Sequence, residues 1–452
     1  MPRLFGTDGV RGVANAELTP ELAFRLGRAG AHHMSRPGSS PVVLVGRDTR
    51  ASGDMIEAAL VAGICSAGGT ALRVGVMTTP GVAFLTRTLG ADCGVVISAS
   101  HNPVEYNGIK FFGPDGFKLL DEEEDEVQRL VEEDYAAIPS PTGADIGRAR
   151  DLTDGRERYV QYLVDLLGEG ALAGLRVVLD CANGAASDIA PDAFRRAGAE
   201  VIPIHHRPDG LNINRECGST HIAALQRAVV EHGAHVGLAF DGDADRVLAV
   251  DEGGEVVDGD RIIALLALDM KERGTLKGDA VVVTVMSNLG LEVALRERGI
   301  DCVRTQVGDR YVLAEMQERG LNLGGEQSGH VILLDHATTG DGLVTGLVLL
   351  AVLRRRGVAM SELAEVFHPL PQVLVNVRVR ERDGLEEREA IRSAVERARR
   401  ALEPLGRVFI RPSGTEPVVR VLVEGEDESL LRSLAEDIAR AVEAELGGDG
   451  MR

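Results

Sequence analysis

Short apolar runs, each closed by glycine or a polar turn and followed by a stretch of helical period, recur along most of this chain. Pro41-Val42-Val43-Leu44-Val45-Gly46 predicts a buried strand, and Met55 to Ala67 follows with helical periodicity. Cys93-Gly94-Val95-Val96-Ile97 predicts another buried strand, running directly into Ser98-Ala99-Ser100-His101-Asn102-Pro103. The alternation continues with a strand at Leu175 to Leu179, a helix at Pro191 to Ala197 and a strand at Glu200 to Ile204. Val236 to Phe240 reads as a strand that leads into Asp241, Ala280 to Val285 as a strand and Leu289 to Glu297 as a helix. Such alternation commits a chain to α/β layers with mostly parallel sheets.

Beyond Pro371 the pattern changes. Val373 to Val379 alternates as a strand, and Glu386 to Ala401 is a charged amphipathic helix. Strands at Val408-Phe409-Ile410 and Val418 to Val423 and a helix from Glu428 to Leu446 complete a β-α-β-β-α module of α+β type. Pro139-Ser140-Pro141-Thr142-Gly143 reads as a linker, and composition breaks again near Asp251-Glu252-Gly253-Gly254 and His368-Pro369-Leu370-Pro371. The chain of 452 residues is thus expected to form three similar mixed or parallel α/β domains, at 1–145, 146–250 and 251–368, and a smaller α+β domain at 369–452. No short-period repeat is visible.

Composition excludes some classes of function. The formal charge is −21, no basic run occurs, tryptophan is absent and aromatics are 3%, so neither a nucleic-acid groove nor a base-stacking platform is expected. An acidic chain that binds an anion must concentrate Arg, Gly and Ser in short motifs. The five cysteines, Cys65, Cys93, Cys181, Cys217 and Cys302, form no C-x-x-C, which predicts free thiols in a reducing cytoplasm. No secretory signal is read at Met1-Pro2-Arg3, and Leu343 to Leu353 is too short to span a bilayer, so no membrane role is expected. The six acidic residues from Asp121 to Glu126 suit the solvated first turn of a helix.

Within this frame a few motifs carry chemistry. Asp241-Gly242-Asp243-Ala244-Asp245-Arg246 sets three carboxylates at alternate positions after a strand, where they can converge on a hard cation such as Mg²⁺ or Ca²⁺. An EF-hand is excluded because Arg246 stands where its loop needs glycine and both flanks read as strands. Ser98 to Pro103, with Asn107-Gly108-Ile109-Lys110 behind it, reads by itself as a polar turn. Its place after a parallel-type strand is where α/β proteins put their chemistry. A serine-hydrolase reading lacks the G-x-S-x-G turn. Arg411-Pro412-Ser413-Gly414-Thr415-Glu416-Pro417 is either a phosphate cradle or a Pro-Gly hairpin. Gly324-Gly325-Glu326-Gln327-Ser328-Gly329-His330 suits sugar hydroxyls or forms a surface turn. Gly6-Thr7-Asp8-Gly9-Val10-Arg11-Gly12 and Gly46-Arg47-Asp48-Thr49-Arg50 either contact phosphate or form ion-paired turns.

Taken together and in this order, these motifs resemble the α-D-phosphohexomutase superfamily from end to end. Val285-Met286-Ser287-Asn288-Leu289-Gly290 and Gly325 to His330 point to its branch acting on glucosamine phosphates. The resemblance implies domains arranged around a central cleft. It implies that Ser100 is a phosphoserine carrier, and that Asp241, Asp243 and Asp245 hold one Mg²⁺ per chain with a phosphoserine oxygen as further ligand. His101, Lys110 and Arg246 would lie at the transferring phosphoryl group, with Lys110 as base if its pKa is lowered. Glu326, Ser328 and His330 would read the sugar; Arg411, Ser413, Gly414, Thr415 and Arg420 would grip the phosphate that is not reacting; Thr7 and Arg11 would complete the site. Ala244 stands where some members carry glycine. The implied reaction interconverts the 6- and 1-phosphates of a hexosamine through a 1,6-bisphosphate, which is also the activator, and feeds UDP-N-acetylglucosamine synthesis for peptidoglycan precursors. The implied assembly is a homodimer. The same chemistry on mannose or glucose phosphates, a metal-dependent phosphatase and a sugar-phosphate or Ca²⁺ binder are the competing readings.

Overall fold

The computed structural model describes residues 3–6, 8–35, 39–133, 135–380, 384–385, 387–412 and 418–447. Thr7, Ser413, Gly414 and Thr415, all expected in the site, lie outside the described residues.

Three α/β sheets and one antiparallel sheet form, as the alternation requires. The first sheet orders its strands Val10–Val13, Tyr106–Phe112, Cys93–Ile97, Val42–Arg47, Thr70–Val76 and Ala149–Asp151. The second runs Val256–Val257, Val247–Asp251, Val236–Phe240, Arg176–Asp180, Glu200–Ile204, and the third Asp301–Thr305, Ala280–Thr284, Leu323–Gly325, Val331–Leu333. Cys93–Ile97, Val236–Phe240 and Ala280–Thr284 are buried at every position, which is why they read as continuous apolar runs rather than alternating ones. Each of these sheets pairs its central strands in parallel and then adds an antiparallel return strand. The fourth sheet, Gln372–Arg378, Val418–Gly425 and Gly406–Pro412, is wholly antiparallel, with helices Glu389–Ala401 and Glu428–Leu446 packed on it.

Two sheets reach past expected limits. Ala149–Asp151 pairs with Thr70–Val76, so the first sheet extends past residue 145, and Val256–Val257 carries the second past residue 250. The chain divides into two compact units, Met1–Met286 with Gly299–Val366, and Ser287–Arg298 with Phe367–Arg452. The excursion at Ser287–Arg298 joins the second unit because its polar groups are satisfied there. Leu289 N–H donates to Glu424 Oε1 at 2.7 Å, and Asn288 exchanges hydrogen bonds of 3.0 Å with the backbone of Leu370.

Helix boundaries follow local chemistry. Thr19 caps Pro20–His33, Thr78 caps Thr79–Leu89 and Asp341 caps Gly342–Arg356, each accepting a backbone N–H with its side-chain oxygen. The last contains the apolar Leu343 to Leu353 run and is buried; no helix among the described residues is long and apolar enough to cross a membrane. The acidic run opens the helix Asp121–Glu132, but only part of it is solvated. Glu124 turns inward, 4% exposed, and meets Arg310 Nη2 at 3.1 Å and Arg3 Nη2 at 3.6 Å.

The first core depends on a close helix pair. A Cβ on Gly27 would lie 2.2 Å from the carbonyl oxygen of Leu60, and one on Gly63 2.1 Å from that of Phe24. The helices Pro20–His33 and Ser52–Ser66 therefore touch backbone to backbone. Gly27→Ala is expected to push them apart and destabilise the protein by about 1–3 kcal/mol. Gly90→Ala, at φ +65° with open space around its Cβ position, carries only the cost of the left-handed conformation, about 1 kcal/mol. Denaturant unfolding of both variants checks the order.

Candidate active site

Ser100 sits at φ +52°, in the left-handed region, and is 1% exposed. A non-glycine residue stays there only if its surroundings fix the backbone. They do so from both sides of the residue. Its N–H donates to Ser98 Oγ at 2.9 Å, and Ser98 Oγ–H donates to Asp48 Oδ2 at 2.7 Å. Its carbonyl accepts from Arg50 Nη2 at 3.0 Å and Asn214 Nδ2 at 2.8 Å. The fully buried Arg50 guanidinium also donates to the carbonyls of Asn102, at 2.8 Å, and Pro103, and to Asp48 Oδ2, at 2.9 Å. The Gly46-to-Arg50 loop is thus an ion-paired turn whose donors hold the serine loop. Burial pushes the Asp48 carboxyl up, and the opposing pull of Arg50 and Ser98 only partly offsets this.

The serine hydroxyl faces the aspartates. Ser100 Oγ–H donates to Asp241 Oδ2 at 2.6 Å, and His101 Nδ1 lies 3.2 Å from Ser100 Oγ. Carboxylate oxygens of Asp241, Asp243 and Asp245 lie within 4.8 Å of one another, and none of these residues exceeds 4% exposure. Asp243 Oδ2 accepts from Thr79 Oγ1 at 2.7 Å and from Lys110 Nζ at 3.0 Å. Asp243 Oδ1 and Asp245 Oδ1 are buried with no hydrogen-bond partner. An orphaned carboxylate oxygen is costly in a protein interior, so this donor set fits a hard cation with oxygen ligands. Burial and the neighbouring Asp245 and Asp243 raise the Asp241 carboxyl well above its usual range. Asp243 goes the other way: burial opposes ionisation, but Lys110 and Thr79 hold it low. Ala244, buried at φ +58°, carries the left-handed turn of this loop; its methyl costs conformational energy there without contacting a carboxylate hydrogen bond.

Lys110 corrects one expectation. Its ammonium is 1% exposed and lies 3.0 Å from Asp243, 3.1 Å from Asp8 and 3.8 Å from Asp245. Burial alone would lower its pKa, but Asp243, Asp8 and Asp245 outweigh burial and raise it. These carboxylates hold Lys110 as a cation, the opposite of the lowered pKa that a role as base needs. His101 is the group that stays neutral: burial, with Arg246 and Arg11 nearby, lowers its pKa to about 4. Arg246 is held 3.9 Å from Asp245.

The remaining expected residues divide. Arg11 pairs with Asp8, whose Oδ1 also accepts from Lys118 Nζ at 2.6 Å; Lys118 binds Asp309 as well. Lys110, Lys118 and Arg11 hold Asp8 well below its usual range against its burial. Glu326 is half-buried, with Oε1 accepting from Gly308 N–H at 3.1 Å, and Ser328 is exposed. His330, expected with them as a sugar contact, is 2% exposed, with Nε2 at 3.6 Å from Asp309 and 4.0 Å from Asp245. In the other unit, Arg411 and Arg420 are register partners across a hairpin. The sequence reading missed Asp8, Asp48, Arg50, Thr79, Lys118, Asn214 and Asp309. The first three lay inside loops already singled out; the others stand in segments without a motif.

Two outcomes test this arrangement. Arg50→Lys removes the planar fork of donors, and each buried carbonyl left without one costs about 1–3 kcal/mol; denaturant unfolding should show a loss in that range. For His101, the unfolded chain takes up a proton near 6.5 while the folded protein resists until about 4. Its contribution to stability is therefore complete above 6.5 and lost as pH falls toward 4. His101→Gln should flatten the acid limb of the stability profile over that window, and a proton-resonance titration of His101 should give a midpoint near 4.

With this geometry in view, the relatives are informative. Four family models match in series: phosphoglucomutase/phosphomannomutase alpha/beta/alpha domain I at residues 2–137, domain II at 157–254, domain III at 258–370 and the C-terminal domain at 374–441. Phosphoglucosamine mutase of Moorella thermoacetica is 58% identical over 440 residues, covering 97% of this chain and 99% of the relative. That of Salinispora arenicola is 56% identical over 445 residues, covering 98% of each. Among solved structures, a phosphoglucomutase/phosphomannomutase family protein from Burkholderia thailandensis superposes with a TM-score of 0.83 at 25% identity, over 100% of this chain and 98% of that one. N-acetylphosphoglucosamine mutase of Aspergillus fumigatus, solved with GlcNAc-6P and magnesium, shares the fold at a TM-score of 0.68 and 21% identity, over 98% of this chain and 95% of that one. Full-length identity at this level, with all four domain models in order, makes the chain a member of the phosphoglucosamine mutase family of α-D-phosphohexomutases.

Proposed function

We propose that this protein interconverts glucosamine 6-phosphate and glucosamine 1-phosphate, with Ser100 as the phosphoryl carrier. The observation that carries the reading is the Ser100 hydroxyl, held 2.6 Å from Asp241 at the convergence of three buried carboxylates. In the first half-reaction the free sugar hydroxyl forms an O–P bond as the Ser100 Oγ–P bond breaks, and the hydroxyl proton ends on Ser100 Oγ. In the second, the bisphosphate has turned round, and its other phosphoryl returns to Oγ. His101 and Asp241 are the ionisable groups within hydrogen-bond distance of Oγ among the described residues, and the neutral imidazole is suited to carry that proton in and out. Lys110 and Arg246 supply positive charge beside the transferring group, which phosphoryl transfer needs more than covalent help. The carboxylates of Asp241, Asp243 and Asp245 would hold Mg²⁺, which when bound neutralises charge on the phosphoryl oxygens.

Glu326 and Ser328 are assigned to the sugar hydroxyls, and Arg411, Arg420 and the segment 413–415 to the phosphate that is not reacting. Hexosamine 1,6-bisphosphate is the proposed activator, and a homodimer in the cytoplasm the proposed working form. The expected division of labour keeps four domains, with limits near those of the sheets.

Peptide mapping of the active protein should find one phosphate, on Ser100. Ser100→Ala should lose roughly 10⁴-fold or more in turnover, the scale seen when a covalent nucleophile is deleted. Glucosamine 6-phosphate should be turned over better than the mannose and glucose 6-phosphates. Inorganic phosphate as main product, or another sugar as best substrate, would sink the proposal.

A further inference from the structure

The second sheet carries a polar cluster that the phosphoryl chemistry does not use. Asp180 ends the strand Arg176–Asp180, and its register partner Ile204 is followed at once by His205. The loop reaching Cys217 folds back over both. Ligand atoms of Asp180, His205 and Cys217 all lie within 4.8 Å of one another, and Asp180 and Cys217 are fully buried. His205 Nδ1 lies 3.0 Å from Asp180 Oδ2, yet this buried nitrogen has no hydrogen-bond partner. Without hydrogen-bond alignment, the lone pairs of this nitrogen and oxygen are close enough to share a cation. The Cys217 sulfur meets only a weak donor at 3.9 Å, Asn183 Nδ2.

From this geometry we propose that Asp180, His205 and Cys217 form a second metal site, taking one borderline divalent cation of the Zn²⁺ class. Carboxylate oxygen, imidazole nitrogen and thiolate sulfur together suit zinc, while the all-oxygen aspartate triad suits a harder ion. Binding forms one metal–sulfur bond and releases the Cys217 thiol proton to solvent. His205 binds through its Nδ1 lone pair with its proton on Nε2, and Asp180 binds as the carboxylate. With three protein donors, a water fills the fourth position of a tetrahedral ion.

The role follows from what these loops hold. Asn183 N–H donates to His205 O at 2.6 Å, and Asn214 N–H to Ala182 O at 2.9 Å. Asn214 in turn holds the Ser100 carbonyl, and Gly218 is packed so that a Cβ would lie 2.5 Å from the carbonyl oxygen of Phe240, the residue before Asp241. A cation on the cluster staples the loops at residues 180–184, 205–207 and 214–219, which frame the serine and aspartate loops from outside.

The test uses the full chain, stripped by a chelator and then held in excess Mg²⁺ so that the aspartate triad is occupied. Titration with Co²⁺ should give one equivalent per chain and a thiolate-to-cobalt absorption band, with Zn²⁺ displacing it. Cys217→Ser should abolish the band, and His205→Asn, a residue that tolerates the left-handed backbone at φ +42°, should weaken binding by at least ~10-fold. Should Cys217→Ser fail to fold by circular dichroism, His205→Asn decides. Absence of a thiolate band in the parent chain, a band that survives Cys217→Ser, or unchanged affinity in His205→Asn overturns the site.

Discussion

The buried ammonium of Lys110 is the interaction on which the site depends. Asp8, Asp243 and Asp245 crowd within 4 Å of it, and Asp241 sits in the same loop as two of them. Like charges at such separation inside a protein repel by several kcal/mol unless a cation lies among them. Lys110 is placed on Tyr106–Phe112, a strand paired on both sides, by Val10–Val13 and Cys93–Ile97. Its charge is thus fixed by the sheet rather than by a mobile loop. The same strand pairing brings Arg11 and Asp8 to one flank and Ser100 to the other. A second lysine, Lys118, extends the balance from Asp8 to Asp309. Remove the cation at the centre and the carboxylates can remain close only by taking up protons or another cation.

The motif loops share a topological place. Residues 98–105, 241–246 and 326–330 each join the last parallel-paired strand of their sheet to an antiparallel return strand. In the fourth sheet Gly406–Pro412 and Val418–Gly425 pair antiparallel, with Arg411 opposite Arg420. A parallel strand delivers its C-terminal end to one edge of the sheet, and a tight return leaves the connecting loop projecting there. The backbone plan is therefore repeated while the residues differ: a serine loop, a carboxylate cluster, the Glu326-to-His330 loop and a pair of arginines. This explains why no repeat was visible in the sequence. Only loop position recurs, and side-chain identity does not.

Much of this was legible before the structure. Val236 to Phe240, Glu200 to Ile204 and Leu289 to Glu297 end where their apolar periods end. The three aspartates converge because alternate residues of a tight turn after a strand can point to one side. What was illegible is long-range. Asp121 to Glu126 looked like a uniform acidic turn, and nothing local marks Glu124 as the residue that meets Arg310 across the fold. The direction of the Lys110 shift depends on Asp243 and Asp8, both distant in sequence, so nothing near Lys110 shows whether its pKa is lowered as a base would need. The assignment of Ser287–Arg298 to the C-terminal unit depends on Glu424 and Leu370, which no helical period reveals. Pro191 likewise marked a helix start to the eye, whereas the helix Ala186–Arg196 runs through it.

Ser100 itself shows why strain and over-constraint belong together. A left-handed serine costs about 1–2 kcal/mol in an unsupported chain. Here its N–H is held by Ser98, its carbonyl by Arg50 and Asn214, and the chain cannot relax toward the metal loop, because Gly242 leaves no room: a Cβ there would be 2.5 Å from the Ser100 oxygen. The backbone is fixed by more contacts than its conformation needs, so the strain persists. A residue that only attacks once could tolerate a looser seat. In the carrier role proposed for it, Ser100 would have to return its oxygen to one point, since a displacement near 1 Å costs about 100-fold in rate. The fully buried Arg50, in a loop that the sequence left open between a phosphate contact and an ion-paired turn, holds the backbone to which that oxygen is attached.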